Sequence, residues 1–500
     1  MRYTSRIICV LLLPVSLVLF CMGLFTQSVN TLQISIILLW LYTVSYALSE
    51  MKERIFFLAF LVAFFTFILG RTVAEIIYPF INVHQFDLDI QLHTNICVYI
   101  ALISFWGIFA LSSKYHFTFG IKHMGAETAL PDKTSRYDSS GYQSVRFAAK
   151  MLYYVSYPFE IIVSVEKAIF VSAVGYSEYY VSYSSEFPYF FTKLADVSQV
   201  ALFIFLATMP NKKEVKLPVV FYILSSVLSL FGGKRSELIV PLLILLLYFS
   251  VRNHINPGHS AWITKKHIIL IAIVTPFLLA GMYLFNYLRF GQSVSASSLS
   301  EMIAGFFDNL GFSVNIISYE KLYEAFIPNK LYSFGNTIDY LRENVLTQLF
   351  FDFPVYKAQT IEKALNGNNF AQLITYLYSK KYYLSGRGLG SCYIAEAYHD
   401  FGYIGIVLWS GLYAIVIKKL YHFKNKGIVF NTMSFCALKY ILLAPRTMAS
   451  AFISEFINVN TWLVIIVVFA AANVLRSQFA ARARRKVLSE SKHNYTSYFS

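Results

Sequence analysis

Apolar residues in this chain gather into long blocks separated by short polar segments, with no strand-like alternation. The blocks cover 7–25, 31–48, 55–80, 96–112, 151–174, 194–210, 217–232, 236–251, 268–287, 401–418, 428–445 and 456–475. A helix crossing a bilayer needs about 20 mostly apolar residues, so the pattern predicts an all-α polytopic membrane protein of twelve spans. The block 151–174 is the most polar, with Glu160, Glu166 and Lys167 inside it. The first block follows Arg2 and Arg6 as in a secretory signal. It lacks a small-residue cleavage site and runs on into further blocks, which predicts a retained first helix. One region breaks the rhythm. Residues 288–400 form a 113-residue segment between two spans, too long to be a simple connection. The spacing in Glu320–Phe326 and Val355–Leu365 predicts short helices there, some lying on the membrane surface. The chain thus divides into nine spans (1–287), a large outer loop expected to cap an outward-facing cavity (288–400), three spans (401–475) and a basic tail (476–500).

Composition removes the soluble alternatives. The chain is 57% hydrophobic and 14% charged, with mean hydropathy +0.55. Soluble domains carry about 25% charged residues. The net charge of +15 invites a nucleic-acid partner, but Lys and Arg accumulate in cytoplasmic loops of membrane proteins. With the N-terminus inside, inner segments hold 26 of them and outer segments 13, nine of these in 288–400. Both termini are therefore expected in the cytoplasm. The run Arg482–Lys486 reads as a cytoplasmic stop that meets anionic lipid, and no nucleic-acid partner is expected. Cys9, Cys21, Cys97, Cys392 and Cys436 contain no close pair, so neither a disulfide framework nor a zinc site is implied.

Candidate chemistry lies in basic residues on the outer side. Lys234 and Arg235 sit in the turn Gly232-Gly233-Lys234-Arg235-Ser236. Arg387 lies in Ser385-Gly386-Arg387-Gly388-Leu389-Gly390-Ser391, Arg446 follows Pro445, and Arg289 leaves the ninth span. A guanidinium grips phosphate oxygens in two places, and flanking glycines let a phosphate approach backbone N–H groups. A single arginine at a membrane rim is explained by snorkelling to headgroups; four on one face, two of them among glycines, point to a diphosphate clamp. Lys439, seven residues before Arg446, extends the positive stripe. Glu396 and His399, three apart near the start of the tenth span, fit a general base or a sugar-orienting pair, and equally a hydrogen-bonded structural pair. Tyr393 and Tyr398 flank them as sugar-contacting candidates. Arg71 and Glu75, four apart within the third span, read as an ion pair or a functional site. Asp87-Leu88-Asp89 has the form of a paired-acid metal site but is three residues long, and His84 and His93 fit no zinc spacing. No metal, cofactor or nucleotide motif is expected.

Taken together, the turn Gly232–Ser236, the string G-R-G-L-G-S-C-Y-I-A-E-A-Y-H-D-F-G-Y-I-G at 386–405, and L-A-P-R at 443–446 resemble the Wzy-type O-antigen polymerases. His399 and Asp400 stand where family members often carry Asn. The resemblance implies a glycosyltransferase C-like membrane fold in the bacterial inner membrane. It implies transfer of a growing glycan from undecaprenyl diphosphate to the terminal sugar of a new lipid-linked unit, without metal or nucleotide sugar. Its implied partners are an undecaprenyl-diphosphate-linked oligosaccharide, membrane lipid, a chain-length regulator and a flippase. Two other readings share the basic cavity. An O-antigen ligase uses the same donor but passes the glycan to lipid A core, and the A-E-x-Y-x-x-F-G string favours the polymerase. A flippase or transporter often shows related halves, and no half-repeat is visible in this chain.

Overall fold

The computed structural model describes residues 2–78, 86–114, 139–233, 235–255, 261–289, 293, 296, 298–421 and 426–496. Among these the regular structure is helical, with no strand. Each of the twelve apolar blocks falls on a helix: Arg2–Phe25, Val29–Ser49, Met51–Ile77, Leu88–Lys114, Ser140–Val174, Tyr189–Ala207, Lys212–Phe231, Ser236–Ile255, Lys265–Arg289, Tyr393–Tyr421, Ile428–Leu443 and Val459–Thr496. Among the described residues, ten helices are long and apolar enough to cross a membrane. The two predicted spans outside that set are the first helix, whose described apolar stretch is Leu11–Phe25, and Ser140–Val174, which Glu160, Glu166 and Lys167 interrupt.

Local sequence sets the helix ends. Ser28 accepts the Thr31 N–H to start the second helix, and Asn211 with Glu214 closes a capping box before Lys212–Phe231. Prolines sit inside several helices, including Pro158, Pro218 and Pro276, as apolar packing permits in membrane helices. Helix Met51–Ile77 widens into a π turn at Phe65–Leu69, and the turn after it carries Arg71 and Glu75. Such widenings often mark functional positions. Aromatic contacts lock three helices together: the Phe57 and Phe105 rings stack 4.9 Å apart, and Phe60 lies 4.3 Å from Phe105 and 5.9 Å from Tyr413.

Two boundaries differ from expectation. The tenth long helix begins at Tyr393 rather than near 401, with a break at Phe401 and Gly402, so Glu396 and His399 belong to its first turns. The expected basic tail continues the last helix to Thr496.

Within 288–400, helix Leu299–Gly311 packs against Gly70–Ile77 and Lys265–Arg289. Helix Asn315–Leu322 and a 3-10 turn at Glu324–Phe326 occupy the first predicted amphipathic stretch. In the second, only Ile361–Asn366 is helical. Buried Lys363 is paired with Asp339, 3.1 Å away, and with Glu343, which offsets the desolvation of its charge. Asp400 accepts the N–H groups of Tyr332 and Ser333 at 2.9 and 2.8 Å, and the Tyr340 hydroxyl accepts the Val459 N–H at 2.9 Å. These bonds fasten the region to the last long helices.

Candidate active site

The sequence places glycines where two loops must pass close to one short helix, Tyr176–Ser182. Gly233 has φ +89°, and a Cβ there would lie 2.1 Å from the Tyr176 ring. Gly386 has φ +79°, and its Cβ would lie 2.0 Å from the Ser177 carbonyl oxygen. The turn before Arg235 and the loop carrying Arg387 therefore rest on neighbouring residues of one helix. A Gly386→Ala variant should lose at least about 1–2 kcal/mol from the left-handed backbone alone, with the carbonyl clash added. Thermal unfolding in detergent should show a lower midpoint, and polymer formation should fall with it.

These loops open on a cavity of about 1180 Å3. Arg71, Arg235, Arg387 and Arg446 all line it. Two helices supply its long walls, from Ser236 to Phe249 and from Asn286 back to Leu270. At 1.5 Å per residue those walls run about 20–24 Å. The arginines gather where Ser236 and Asn286 stand, and the walls beyond are Leu242, Leu246, Val274 and Leu278. The cavity thus has a charged head and a long apolar body.

Neighbours hold three of these guanidinium groups. Arg387 Nε donates to Ser177 Oγ at 3.4 Å, with the guanidinium carbon 5.5 Å from the Tyr382 ring centroid. Arg446 leaves a 3-10 turn started by Ala444 and Pro445. Its Nη1 donates to the Leu310 carbonyl at 3.1 Å, and it lies 5.8 Å from the Phe67 ring. Arg71 Nε donates to Glu75 Oε1 at 2.9 Å and lies 3.5 Å from Asp308 Oδ1. Asp308 also lines the cavity; burial pushes its pKa up, and Arg71 pulls against that rise.

Glu396 is fully buried and off the cavity lining. Ser391 Oγ donates to its Oε1 at 2.5 Å and the Ala449 N–H to its Oε2 at 2.8 Å. Ser391 follows the Arg387 loop and Ala449 follows Arg446, so one carboxylate ties the two arginine-bearing segments. His399 points elsewhere. Its Nδ1 lies 3.7 Å from Glu320 Oε1, whose other oxygen is 3.9 Å from His93 Nε2. Burial raises the Glu320 pKa despite the neighbouring His399. Tyr398 stacks edge-on to His93 at 4.3 Å, and Tyr393 is fully buried with its hydroxyl 3.2 Å from Ser410 Oγ. Neither tyrosine lines the cavity.

Of the basic residues singled out from sequence, Arg235, Arg387 and Arg446 come together. Lys439 does not join them: its Nζ lies 3.1 Å from Glu237 Oε1, off the cavity lining. Lys234 and His84 lie outside the described residues, as does the side chain of Arg289. Asp89 occupies the first turn of Leu88–Lys114, and among the described residues no three His, Cys, Asp or Glu side chains group as a metal site. Asp308 escaped the sequence reading. Its signal was a second acid, after Glu301 in the first turn, toward the end of the amphipathic helix Leu299–Gly311.

No curated protein and no solved structure matches the chain. The family model of O-antigen polysaccharide polymerase Wzy matches residues 6–478. With a match over nearly the whole length, and with apolar helices suited to a multi-pass membrane protein, the chain belongs to the Wzy O-antigen polysaccharide polymerase family.

Proposed function

We propose that this polymerase transfers the growing glycan from undecaprenyl diphosphate to the terminal sugar of a newly delivered lipid-linked repeat unit. The reaction takes place at the outer face of the bacterial inner membrane, with both termini in the cytoplasm. Arg235, Arg387 and Arg446 hold the donor diphosphate, and the apolar body of the cavity receives the first isoprene units. The observation that carries this reading is the convergence of three arginines, from segments 152 and 59 positions apart, at the head of one long apolar cavity. The bond to the diphosphate breaks with negative charge building on its oxygens, and fixed guanidinium groups stabilise that charge as it forms. Glu396 acts at one remove, by setting the distance between the Arg387 and Arg446 segments.

This chemistry needs no nucleotide sugar and no metal. Purified protein given only undecaprenyl-diphosphate-linked repeat units should yield a ladder of longer products, unchanged by EDTA. An absent ladder, or one lost on chelation, would count against the reaction. A ligase would instead require lipid A core in the mixture.

A further inference from the structure

Resting on the polymerase reading, we infer that Asp308 binds the acceptor hydroxyl and removes its proton during glycan transfer. The carboxylate lines the same cavity as the arginines, with about a fifth of its side chain (21%) exposed. It sits two residues before Leu310, whose carbonyl holds Arg446, so an acid and a donor-binding arginine are fixed on one turn of chain. Asp308 Oδ1 accepts no hydrogen bond from the described residues, with Arg71 Nε 3.5 Å away. That oxygen is buried against Arg71, and the exposed fifth of the side chain, which a cavity hydroxyl can reach, lies away from it. Nearby polar lining residues suit a sugar: Asn309, Asn286, Gln372 and Gln359 all face the cavity. Gln359 Oε1 is buried without a hydrogen-bond partner among the described residues, and its backbone is held at φ +60°.

The charged groups facing Asp308 are Arg71 and Glu75 from helix Gly70–Ile77 and, across Leu310, Arg446. Helix Lys265–Arg289 presents Tyr283, Tyr287 and Asn286, and the Phe65–Leu69 turn has no ionisable side chain. Burial lifts the carboxyl above the ordinary aspartate range, which makes it a better base than an exposed carboxylate, while Arg71 favours the ionised form. In the transfer, an acceptor oxygen lone pair forms a bond to the anomeric carbon of the donor glycan. The bond from that carbon to the diphosphate oxygen breaks, and its electron pair leaves with the diphosphate. The acceptor proton passes to Asp308, which later releases it to water. No further reactant is needed.

The test uses purified full-length protein in lipid nanodiscs, with lipid-linked repeat units as donor and acceptor, measured across pH. A base must be ionised to act, so wild-type turnover should fall as pH drops through the raised Asp308 pKa. Asp308→Asn keeps the shape of the side chain. It should bind donor within about threefold of wild type, slow turnover by about 100-fold or more, and lose the acid limb from its residual rate. Asp308→Glu should keep the acid limb at reduced rate. A wild-type profile flat on the acid side overturns the inference without any variant. So does an Asp308→Asn protein that turns over at the wild-type rate or retains the acid limb. If Asp308→Asn does not insert stably, an Asp308→Glu variant lacking the acid limb overturns the inference in its place. A wild-type protein that makes no ladder at any pH overturns the polymerase reading itself, which separates the two failures.

Discussion

Alanine at Arg235, Arg387 or Arg446 should each slow polymerisation by about 30- to 1000-fold. The basis is the scale for losing one fixed donor to a developing anion, about 2–4 kcal/mol of transition-state stabilisation. All three guanidinium groups border one cavity, and two are visibly pre-set by neighbours: Arg387 by Ser177 and Tyr382, Arg446 by Leu310 and Phe67. Little reorganisation is left for the moment of reaction. Lysine should rescue poorly, because a point charge cannot reproduce the two-pronged contact with phosphate. In cells the signature is single-repeat glycan on lipid A core, since flipping and ligation continue. Long glycan retained on undecaprenyl diphosphate would instead indicate a ligase. A second check is additivity. Residues acting on one leaving group should combine with less than the sum of their separate effects, and full additivity would place them at separate tasks.

The next largest effect concerns Glu396, with opposite outcomes for two substitutions. Alanine leaves the Ser391 hydroxyl and the Ala449 N–H without their acceptor, at about 1–3 kcal/mol for each buried group. It also frees the Arg387 and Arg446 segments from each other, and a misplacement of about 1 Å in a reacting geometry costs about 100-fold. Glutamine can keep both links. Its carbonyl accepts the Ala449 N–H, and its amide donates to Ser391 Oγ, which accepts as readily as it donates. Glu396→Gln should therefore stay within about tenfold of wild type, while Glu396→Ala falls much further and melts earlier. Equal damage from both, in stably folded protein, would return Glu396 to proton transfer. Thermal midpoints and ladder assays on the same preparations decide it.

The hydropathy pattern carried the fold because each long helix must be apolar to sit in lipid, and all twelve blocks fall on helices. It missed the start at Tyr393, since the first turns of that helix find polar partners in Ser391, Ala449, Glu320 and Ser333 and so tolerate Glu396, His399 and Asp400. The arginines were legible as exceptions to the charge bias. Their company was not. The Arg71–Glu75 pair follows from helix spacing, whereas Asp308 reaches Arg71 across 237 positions of chain. Glu396 and His399 looked like one site because residues three apart lie on adjacent faces. They are still about 60° apart around the axis, enough for one to meet Ser391 and Ala449 and the other to meet Glu320. Lys439 was misleading for a similar reason: its counter-charge, Glu237, lies 202 positions away.

Helix Lys265–Leu288 is only 17% buried across its apolar stretch. Its cavity face carries Leu270, Val274 and Leu278, while Ile269, Ile273 and Phe277 face outward. A hydrocarbon chain on either side of this wall meets much the same aliphatic surroundings. For a lipid-linked donor, moving the tail from bilayer to cavity is therefore an exchange between similar solvents, with little free energy gained per isoprene unit. Carrier length and saturation then contribute little to selection, and discrimination falls to the diphosphate and the sugars beyond it. Product release follows the same logic: the spent carrier can return to the bilayer without taking its tail through water, so the strength of the head contact sets how long it stays.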